Sequence, residues 1–118
     1  MLPRRYRLTR SEDFARVREQ GDCFASRRLV LCCHRGGAEQ VRIGFSVSKR
    51  VGKAVVRNRV KRRLRASAYA LREVIAPGWD LVVIARQSAA VATAAQLGAE
   101  LDQLCGRARL LKGSVHAT

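Results

Sequence analysis

The basic segment, residues 49–65, constrains the fold of this 118-residue chain more than any other part of the sequence. It contains nine Lys and Arg residues, and it lies within an acid-free region, residues 40–72, that holds 11 of the chain's 24 basic residues. Apolar and small residues recur from it onward at steps of three and four: Val56, Val60, Leu64, Ser67 or Ala68, Leu71 and Val74. Because this spacing places them on one face, it predicts an ordered amphipathic helix rather than a disordered tail.

The opposite face of the predicted helix is cationic. At about 100° per residue, the side chains that fan across it are Asn58, Arg59, Lys61, Arg62 and Arg65, with Arg57 and Arg63 at its flanks. Like charges at helical spacing repel, and Lys53 lies near the helix N-terminus, where the macrodipole disfavours a cation. Both effects destabilise the isolated helix, so a sequence that contains them is predicted to bind a polyanion. Arginine in particular suits bidentate contacts with phosphate. A merely solvated basic face is the alternative, but such faces normally mix both signs of charge.

The charge of the whole chain also favours nucleic acid as the partner. The formal net charge is +15 and the pI is about 11.4. A basic membrane-surface protein would carry Trp, Phe or Leu opposite the charges, whereas that face here is Val, Leu and Ala, which is typical of a core. No membrane-spanning run or signal peptide is recognisable, so we expect a cytoplasmic protein and no membrane partner.

The four cysteines show no metal-binding pattern. Cys23, Cys32, Cys33 and Cys105 have no C-x-x-C spacing, and the two histidines form no ligand set with them. We therefore predict buried or partly buried free thiols rather than a zinc site or disulfides.

The remaining elements follow from periodicity and turn signals. In chain order we predict a basic, mobile arm (1–8), a helix opened by a capping box (9–12) and ending near Gln20 and Gly21, a strand (23–34), and a second strand (41–48) paired with the first as a hairpin. A tight turn at Gly52 then leads into the basic helix, which runs to about residue 74 or 75. A buried central strand (79–86) and a last helix opened by a second capping box (93–96) follow, and the chain ends in a frayed tail (112–118). The order α-β-β-α-β-α predicts a single α+β domain, a sheet with helices packed on it. If the strands of the β-α-β unit over residues 41–86 are parallel, the general rule predicts a right-handed crossover.

One face of the predicted second strand is unusually bare. Val41, Ile43, Phe45 and Val47 alternate with Arg42, Gly44, Ser46 and Ser48, so the second set faces away from the core. This bare face could hold an extended single strand of nucleic acid, or it could be an ordinary solvated sheet face. Phe14, on the first predicted helix, also has two interpretations. It is either part of the core or an exposed aromatic residue that lines a groove and stacks on a base.

No set of residues in the chain points to protein-based catalysis. The nine acidic residues are scattered, and the sequence contains no G-x-S-x-G, H-E-x-x-H or Walker loop. No helix-turn-helix or zinc-finger pattern is present either, so RNA is favoured over duplex DNA. The residues by themselves therefore indicate an RNA-binding module.

The centre of the chain resembles a known family. The motif Arg57-Asn58-Arg59-x-Lys61-Arg62-x-x-Arg65, together with the preceding residues 44–56, is similar to the signature of the protein subunit of bacterial ribonuclease P. The flanks agree, since Arg7-Leu8, Asp13-Phe14, Val17 and Gly21 resemble the family's first helix, and Ile84-Ala85-Arg86 resembles its last strand. The similarity spans roughly residues 5–111.

The resemblance implies a role that the residues alone do not give. In this family the partner is a large catalytic RNA, which uses Mg²⁺ to hydrolyse precursor tRNA and so produces the mature 5′ end; no cofactor or metal ion is expected on the protein itself. The protein binds that RNA through its basic helix and holds the 5′ leader of precursor tRNA in a cleft between the first helix and a mixed sheet. The family's β-α-β crossover is left-handed, and here we follow the family rather than the general rule.

Carried over to this chain, the resemblance implies two sets of site residues. Those expected to contact the catalytic RNA are Lys49, Arg50, Lys53, Arg57, Asn58, Arg59, Lys61, Arg62 and Arg65. Those expected to line the leader cleft are Phe14, Arg18, Val30, Cys32, Ser46 and Ser48. Relatives often carry aromatic residues in place of Arg18 and Cys32, so leader binding here is expected to depend more on charge. The alternatives are a general or ribosome-associated RNA-binding protein and a DNA-compacting basic protein.

Overall fold

A computed structural model describes residues 2–37 and 39–111; Met1 of the predicted arm and the predicted frayed tail lie outside these residues. The helices are α1 (Ser11–Gln20), α2 (Ala54–Leu71) and α3 (Ala94–Arg107). The strands are β1 (Asp22–Ala25), β2 (Leu29–Arg35), β3 (Arg42–Ser46) and β4 (Trp79–Ala85). Short 3-10 helices occur at Arg4–Tyr6, Lys49–Val51 and Gln87–Val91.

The four strands form one mixed sheet in the order β1-β2-β4-β3. β2 pairs antiparallel with β1 and β4, whereas β3 pairs parallel with β4. The predicted α+β class and the central position of the strand after the basic helix are therefore confirmed. The β3-α2-β4 unit is parallel, and its left-handed crossover stays a prediction.

Two predictions about the strands are wrong. The predicted strand over residues 23–34 is two strands, because the chain turns at residues 26–28, where the buried Glu100 carboxylate of α3 accepts hydrogen bonds from the Ser26 hydroxyl (2.7 Å) and the Arg28 backbone N–H (2.9 Å). The predicted hairpin between the two strands before the basic helix does not exist, because β4 lies between β2 and β3. Both errors have one cause, since residues far away in the sequence decide the pairing: Glu100 is about 70 positions from the turn, and β4 is about 50 from β2.

The sheet separates two apolar clusters. On one face α2 and α3 cover the larger cluster, to which Leu31, Ile43 and Val83 contribute from the central and edge strands. On the other face α1 covers a smaller cluster, where Val17 packs against Cys32 and Val82. The predicted stripe of the basic helix is confirmed, since Val60, Leu64, Ala68 and Leu71 are buried, although α2 ends at Leu71, before the predicted end near residue 75.

Residues 2–8 pack against the domain, and the predicted mobility of this arm stays a prediction. Leu2 is fully buried, Leu8 is 4% exposed, and Arg7 forms a parallel bridge with Ile43 that extends the sheet beyond β3. The capping box predicted for α1 is absent, because the cap residue is Arg10, whose side chain makes no cap hydrogen bond. The second box is confirmed, with reciprocal hydrogen bonds between Thr93 and Gln96.

Cys23 and Cys32 form a disulfide, which corrects the prediction of free thiols for these two residues. They lie directly opposite each other on the antiparallel strands β1 and β2, a pairing that the sequence separation of nine does not reveal. Cys33 and Cys105 are buried free thiols, as predicted. Burial raises the pKa of Cys33 to about 11 and that of Cys105 to about 12, so both thiols are unreactive at neutral pH.

Candidate nucleic-acid interface

The basic segment folds into two connected elements. Residues Lys49–Val51 form a 3-10 helix, and Gly52, with a φ of 152°, allows the turn into α2 that the sequence predicted. The first turn of α2 contains no acidic residue, and Lys53 is its N-cap. The apolar stripe of α2 packs on the sheet, so the polar side of this helix faces solvent, where Asn58 and Arg62 are exposed.

The positive charge of the basic segment is not neutralised within the described part of the chain. None of the ion pairs found there involves a residue of this segment; they lie on α1, the sheet, α3 and the end of α2. Arg59 and Arg63 do have protein partners, but these are the neutral carbonyls of Ala90 (3.2 Å) and Ala92, which leave the charge in place. Nine cations without a counter-ion form a surface that fits a polyphosphate chain.

The second surface is the partly exposed sheet face beside α1. Its floor is a row of directly opposed residues from three strands, Ser46, Ile84 and Val30, which are all partly exposed. Phe14 of α1 packs with Ile84 and Val30 on the smaller apolar cluster. We call this surface the sheet groove; it has the apolar and hydroxyl character that bases and riboses of a single strand require.

Gly44 makes the position of Phe14 possible. A Cβ on Gly44 would lie 2.4 Å from Cζ of Phe14, so the ring rests directly on the backbone of β3. Gly44 is consequently buried, and the bare strand face predicted from the sequence is bare only at Ser46 and beyond. Phe14 of α1 thus borders the partly exposed end of this strand face, and binding of a single strand there stays a prediction.

The predicted cleft residues do not all meet in this groove. Phe14, Val30 and Ser46 do, whereas Arg18 is exposed on α1, one turn after Phe14. Cys32 is 1% exposed and bonded to Cys23, so it offers no surface to a ligand, and its place in the predicted cleft lining is wrong.

Ser48 lies at the end of the groove, in a pocket of about 550 Å³ that we call the loop pocket. This pocket opens where the parallel strands β3 and β4 end, and it is lined by Ser48, Arg50, Val51, Ala85, Arg86 and Gln87. Two of these side chains are guanidinium groups, and no carboxylate is among them. The loop pocket therefore suits an anion that continues along the groove.

A smaller pocket, the edge pocket, connects the two surfaces. It has a volume of about 210 Å³ and is lined by Arg7, Leu8, Thr9, Phe14, Ile43, Phe45, Lys61 and Arg65. Lys61 and Arg65 of the basic segment thus share a pocket with the Phe14 ring, although they lie far from Phe14 in the sequence. The two predicted site sets are neighbours in space, not independent surfaces.

Sequence reasoning missed Ile84, Arg86, Arg7 and Thr9 as members of these surfaces. For Ile84 a signal existed, because strand alternation places it on the same face as Asp80 and Val82. The other three depend on where the loop after β4 and the first residues of the chain pack, for which the sequence contains no periodic signal.

The fold and these surfaces define a basic α+β protein that binds nucleic acid. In the described residues no group of three or more His, Cys, Asp or Glu side chains is placed to hold a metal ion, and no helix combines the length and apolar character that crossing a membrane requires. Comparison with known proteins identifies the family within this class.

A family model described as Ribonuclease P matches residues 2–109. The chain is 42% identical over 118 residues to the ribonuclease P protein component of Roseiflexus castenholzii (99% of this chain and 97% of that protein) and 43% identical over 116 residues to that of Acidothermus cellulolyticus (97% of each). The solved RNase P protein of Staphylococcus aureus is similar with a TM-score of 0.83 and 32% identity, covering 91% of this chain and 98% of that one. The RNase P protein of Thermotoga maritima is similar with a TM-score of 0.78 and 28% identity, covering 86% and 96%.

The chain belongs to the family of bacterial ribonuclease P protein components. It is the protein subunit of a ribonucleoprotein endoribonuclease of tRNA processing, which confirms the resemblance stated above. An RNA partner follows from this membership.

Proposed function

We propose that the chain binds the catalytic RNA of ribonuclease P through its basic segment and the 5′ leader of precursor tRNA through its sheet groove. The catalytic RNA then hydrolyses the phosphodiester bond with Mg²⁺, and the protein contributes binding rather than a reacting group. We place this activity in the cytoplasm, where precursor tRNA is processed.

The observation that carries the proposal is the unneutralised basic segment. Most of its charge lies on the ordered helix α2, which packs on the core through the buried residues Val60, Leu64, Ala68 and Leu71, and no cation of the segment has a carboxylate partner in the described part of the chain. Asn58 supports a role beyond charge, because its exposed amide has no hydrogen-bond partner in the described part of the chain and could bind a base edge or a 2′-hydroxyl.

The sheet groove supports the leader assignment. Its floor is partly apolar, the Phe14 ring stands at one wall, and the loop pocket with Arg50 and Arg86 lies at its end. Such a combination of a stacking surface and cations is typical of sites that bind single-stranded RNA with little sequence preference.

The test is cleavage of a precursor tRNA by the catalytic RNA of the same organism at low Mg²⁺, with and without the protein. We expect the protein to restore cleavage at the 5′ junction and to cleave nothing by itself. Tight RNA binding without any effect on cleavage would overturn the proposal and leave a general or ribosome-associated RNA-binding protein. Equal binding to duplex DNA would favour a DNA-compacting protein.

Two variants separate the surfaces. Arg62→Ala should weaken binding to the catalytic RNA, whereas Phe14→Ala should weaken chiefly the binding of precursor that carries a leader. Arg27→Ala is the matched control, because Arg27 is an exposed arginine on the β1–β2 turn, outside both surfaces. Because Phe14 also lines the edge pocket, a small loss of catalytic RNA binding in Phe14→Ala is compatible with the proposal; equal losses of both RNAs in both variants are not.

A further inference from the structure

A buried ion-pair network joins α1 to the sheet. Asp80, near the start of β4, is fully buried and accepts two hydrogen bonds from Arg42 of β3, at 2.9 Å from Nε and 2.7 Å from Nη2. Arg16 of α1 donates a third, at 3.0 Å, and also binds Asp13 at 2.8 Å. The network contains two carboxylates and two guanidinium groups, so its formal charges balance.

The two arginines have different tasks in this network. Arg42 lies in register with Asp80 on the neighbouring strand and binds it bidentately, which satisfies both carboxylate oxygens within the sheet. The hydrogen bonds with Asp80 raise the pKa of Arg42 above its usual value, so the guanidinium group stays charged. Arg16 is therefore not needed to neutralise Asp80, and its bond does something else: it connects a helix to a point on the sheet.

Arg16 and Phe14 lie on different flanks of α1. A separation of two residues corresponds to about 200° of helical rotation. The hydrogen bond from Arg16 to Asp80 therefore holds one flank of the helix, and the Phe14 ring projects from the opposite flank. Between them Val17 packs on Cys32 and Val82, an apolar contact with no directional bond. Apolar packing resists separation of α1 from the sheet, but a hydrogen-bonded ion pair on one flank is what resists rotation about the helix axis.

We propose that Arg16, held by the buried Asp80, is a positioning residue that sets the rotation of α1 and thereby places Phe14 at the sheet groove. This inference rests on the proposed function, because it assigns Arg16 a role in leader binding without contact to the leader. Arg16 acts through Phe14 and is not itself a binding residue.

The experiment compares Arg16→Met with Arg10→Met in the reconstituted complex of protein and catalytic RNA. Both variants remove one positive charge from α1 or its N-cap, but the Arg10 side chain is exposed and pairs only loosely with Glu12, at 3.9 Å. The readout is the ratio of dissociation constants for mature tRNA and for precursor tRNA with a leader. This ratio removes the effect of altered affinity for the catalytic RNA, and the Arg10→Met control accounts for the loss of one positive charge near the phosphates of the leader.

For Arg16→Met we expect this leader preference to fall about fivefold or more, the lower limit for loss of one base-stacking contact. For Arg10→Met we expect the preference to stay as in the wild type, and Arg16→Lys, which can still reach Asp80 with one bond, should recover part of it. Glu100→Gln provides a stability control, because it weakens another buried carboxylate–arginine pair, with Arg28, on the opposite face of the sheet. It should lower the melting temperature without changing leader preference.

The positioning role is wrong if the Arg16→Met variant keeps the leader preference of the wild type. It is also wrong if Arg16→Met and Glu100→Gln lower the melting temperature equally and reduce the leader preference equally. These results differ from failure of the proposed function, in which the wild-type complex itself shows no preference for the leader. A wild type that prefers the leader and an Arg16→Met variant that keeps this preference would leave the proposed function intact and reject only the inference.

Discussion

Replacing Gly44 with alanine should displace the Phe14 ring from the sheet groove. The new Cβ would lie 2.4 Å from Cζ and 2.9 Å from Cε1 of Phe14, and 3.0 Å from the Leu8 carbonyl oxygen. Carbon atoms in contact lie about 3.5–4.0 Å apart, so the ring must retreat by roughly 1 Å or more. The backbone of β3 is held by its parallel pairing with the central strand β4, so we expect the ring to move rather than the strand.

The substitution should affect leader binding more than stability. Overpacking typically costs about 1–3 kcal/mol of the free energy of unfolding, and the low end applies here because the clashing atom is the far end of a side chain. Stacking of one base on an aromatic ring contributes about 1–3 kcal/mol, so loss of the Phe14 surface should reduce the affinity for leader-bearing precursor by about fivefold or more. Affinity for mature tRNA should not change.

The assay is fluorescence anisotropy of labelled precursor and mature tRNA with the reconstituted complex, combined with thermal unfolding of the protein alone. Gly106→Ala is the matched control, since a Cβ there meets nothing within 4 Å and should not weaken either RNA. If Gly44→Ala folds and retains the full preference for the leader, then Phe14 does not contribute to leader binding in the way we infer.

Three further predictions concern stability and salt. Reduction of the Cys23–Cys32 disulfide should lower the free energy of unfolding by about 2–3 kcal/mol, and thermal unfolding with and without reductant measures this; identical melting temperatures would show that the pair contributes nothing. Burial by itself raises the pKa of Glu100, but the hydrogen bonds from Arg28 and Ser26 outweigh it and hold that pKa below its usual value. The stability it contributes is therefore present above the unfolded-state pKa of 4.5 and is lost as the pH falls through the folded-state pKa, so urea unfolding of Glu100→Gln should depend less on pH there than that of the wild type. Finally, RNA affinity should fall steeply with salt, and Arg62→Ala should reduce the slope of log K against log salt by about one unit; an equal slope in variant and wild type would remove Arg62 from the phosphate-binding set.

The basic helix could be predicted from the sequence because its signals are local. Val60 and Leu64 repeat at helical spacing, and a run of cations with no acidic neighbour points to a polyanion whatever the surrounding fold. The inward and outward residues of β3 could be assigned for the same reason, since strand alternation has a period of two. The resemblance to a family rested on these same residues, and the comparisons confirm it.

The groove could be predicted only in part. Phe14, Val30 and Ser46 were named, but Cys32 was placed in the lining although its side chain lies beneath α1 and is bonded to Cys23. Alternation shows which face of a strand a residue occupies, and it does not show how far a helix covers that face.

The sequence by itself therefore determined the three helices, the strands β3 and β4, the faces they bury, the charge that selects the partner and the family. Only the tertiary structure decided the strand order, the disulfide, the packing of residues 2–8, and the meeting of Phe14 with Lys61 and Arg65 in the edge pocket. The physical reason is that periodicity and propensity act over a few residues, whereas neighbours in a sheet are selected by the packing of groups far apart in the chain. Glu100 shows this most directly, because one buried carboxylate on the last helix holds the turn that divides the first predicted strand in two.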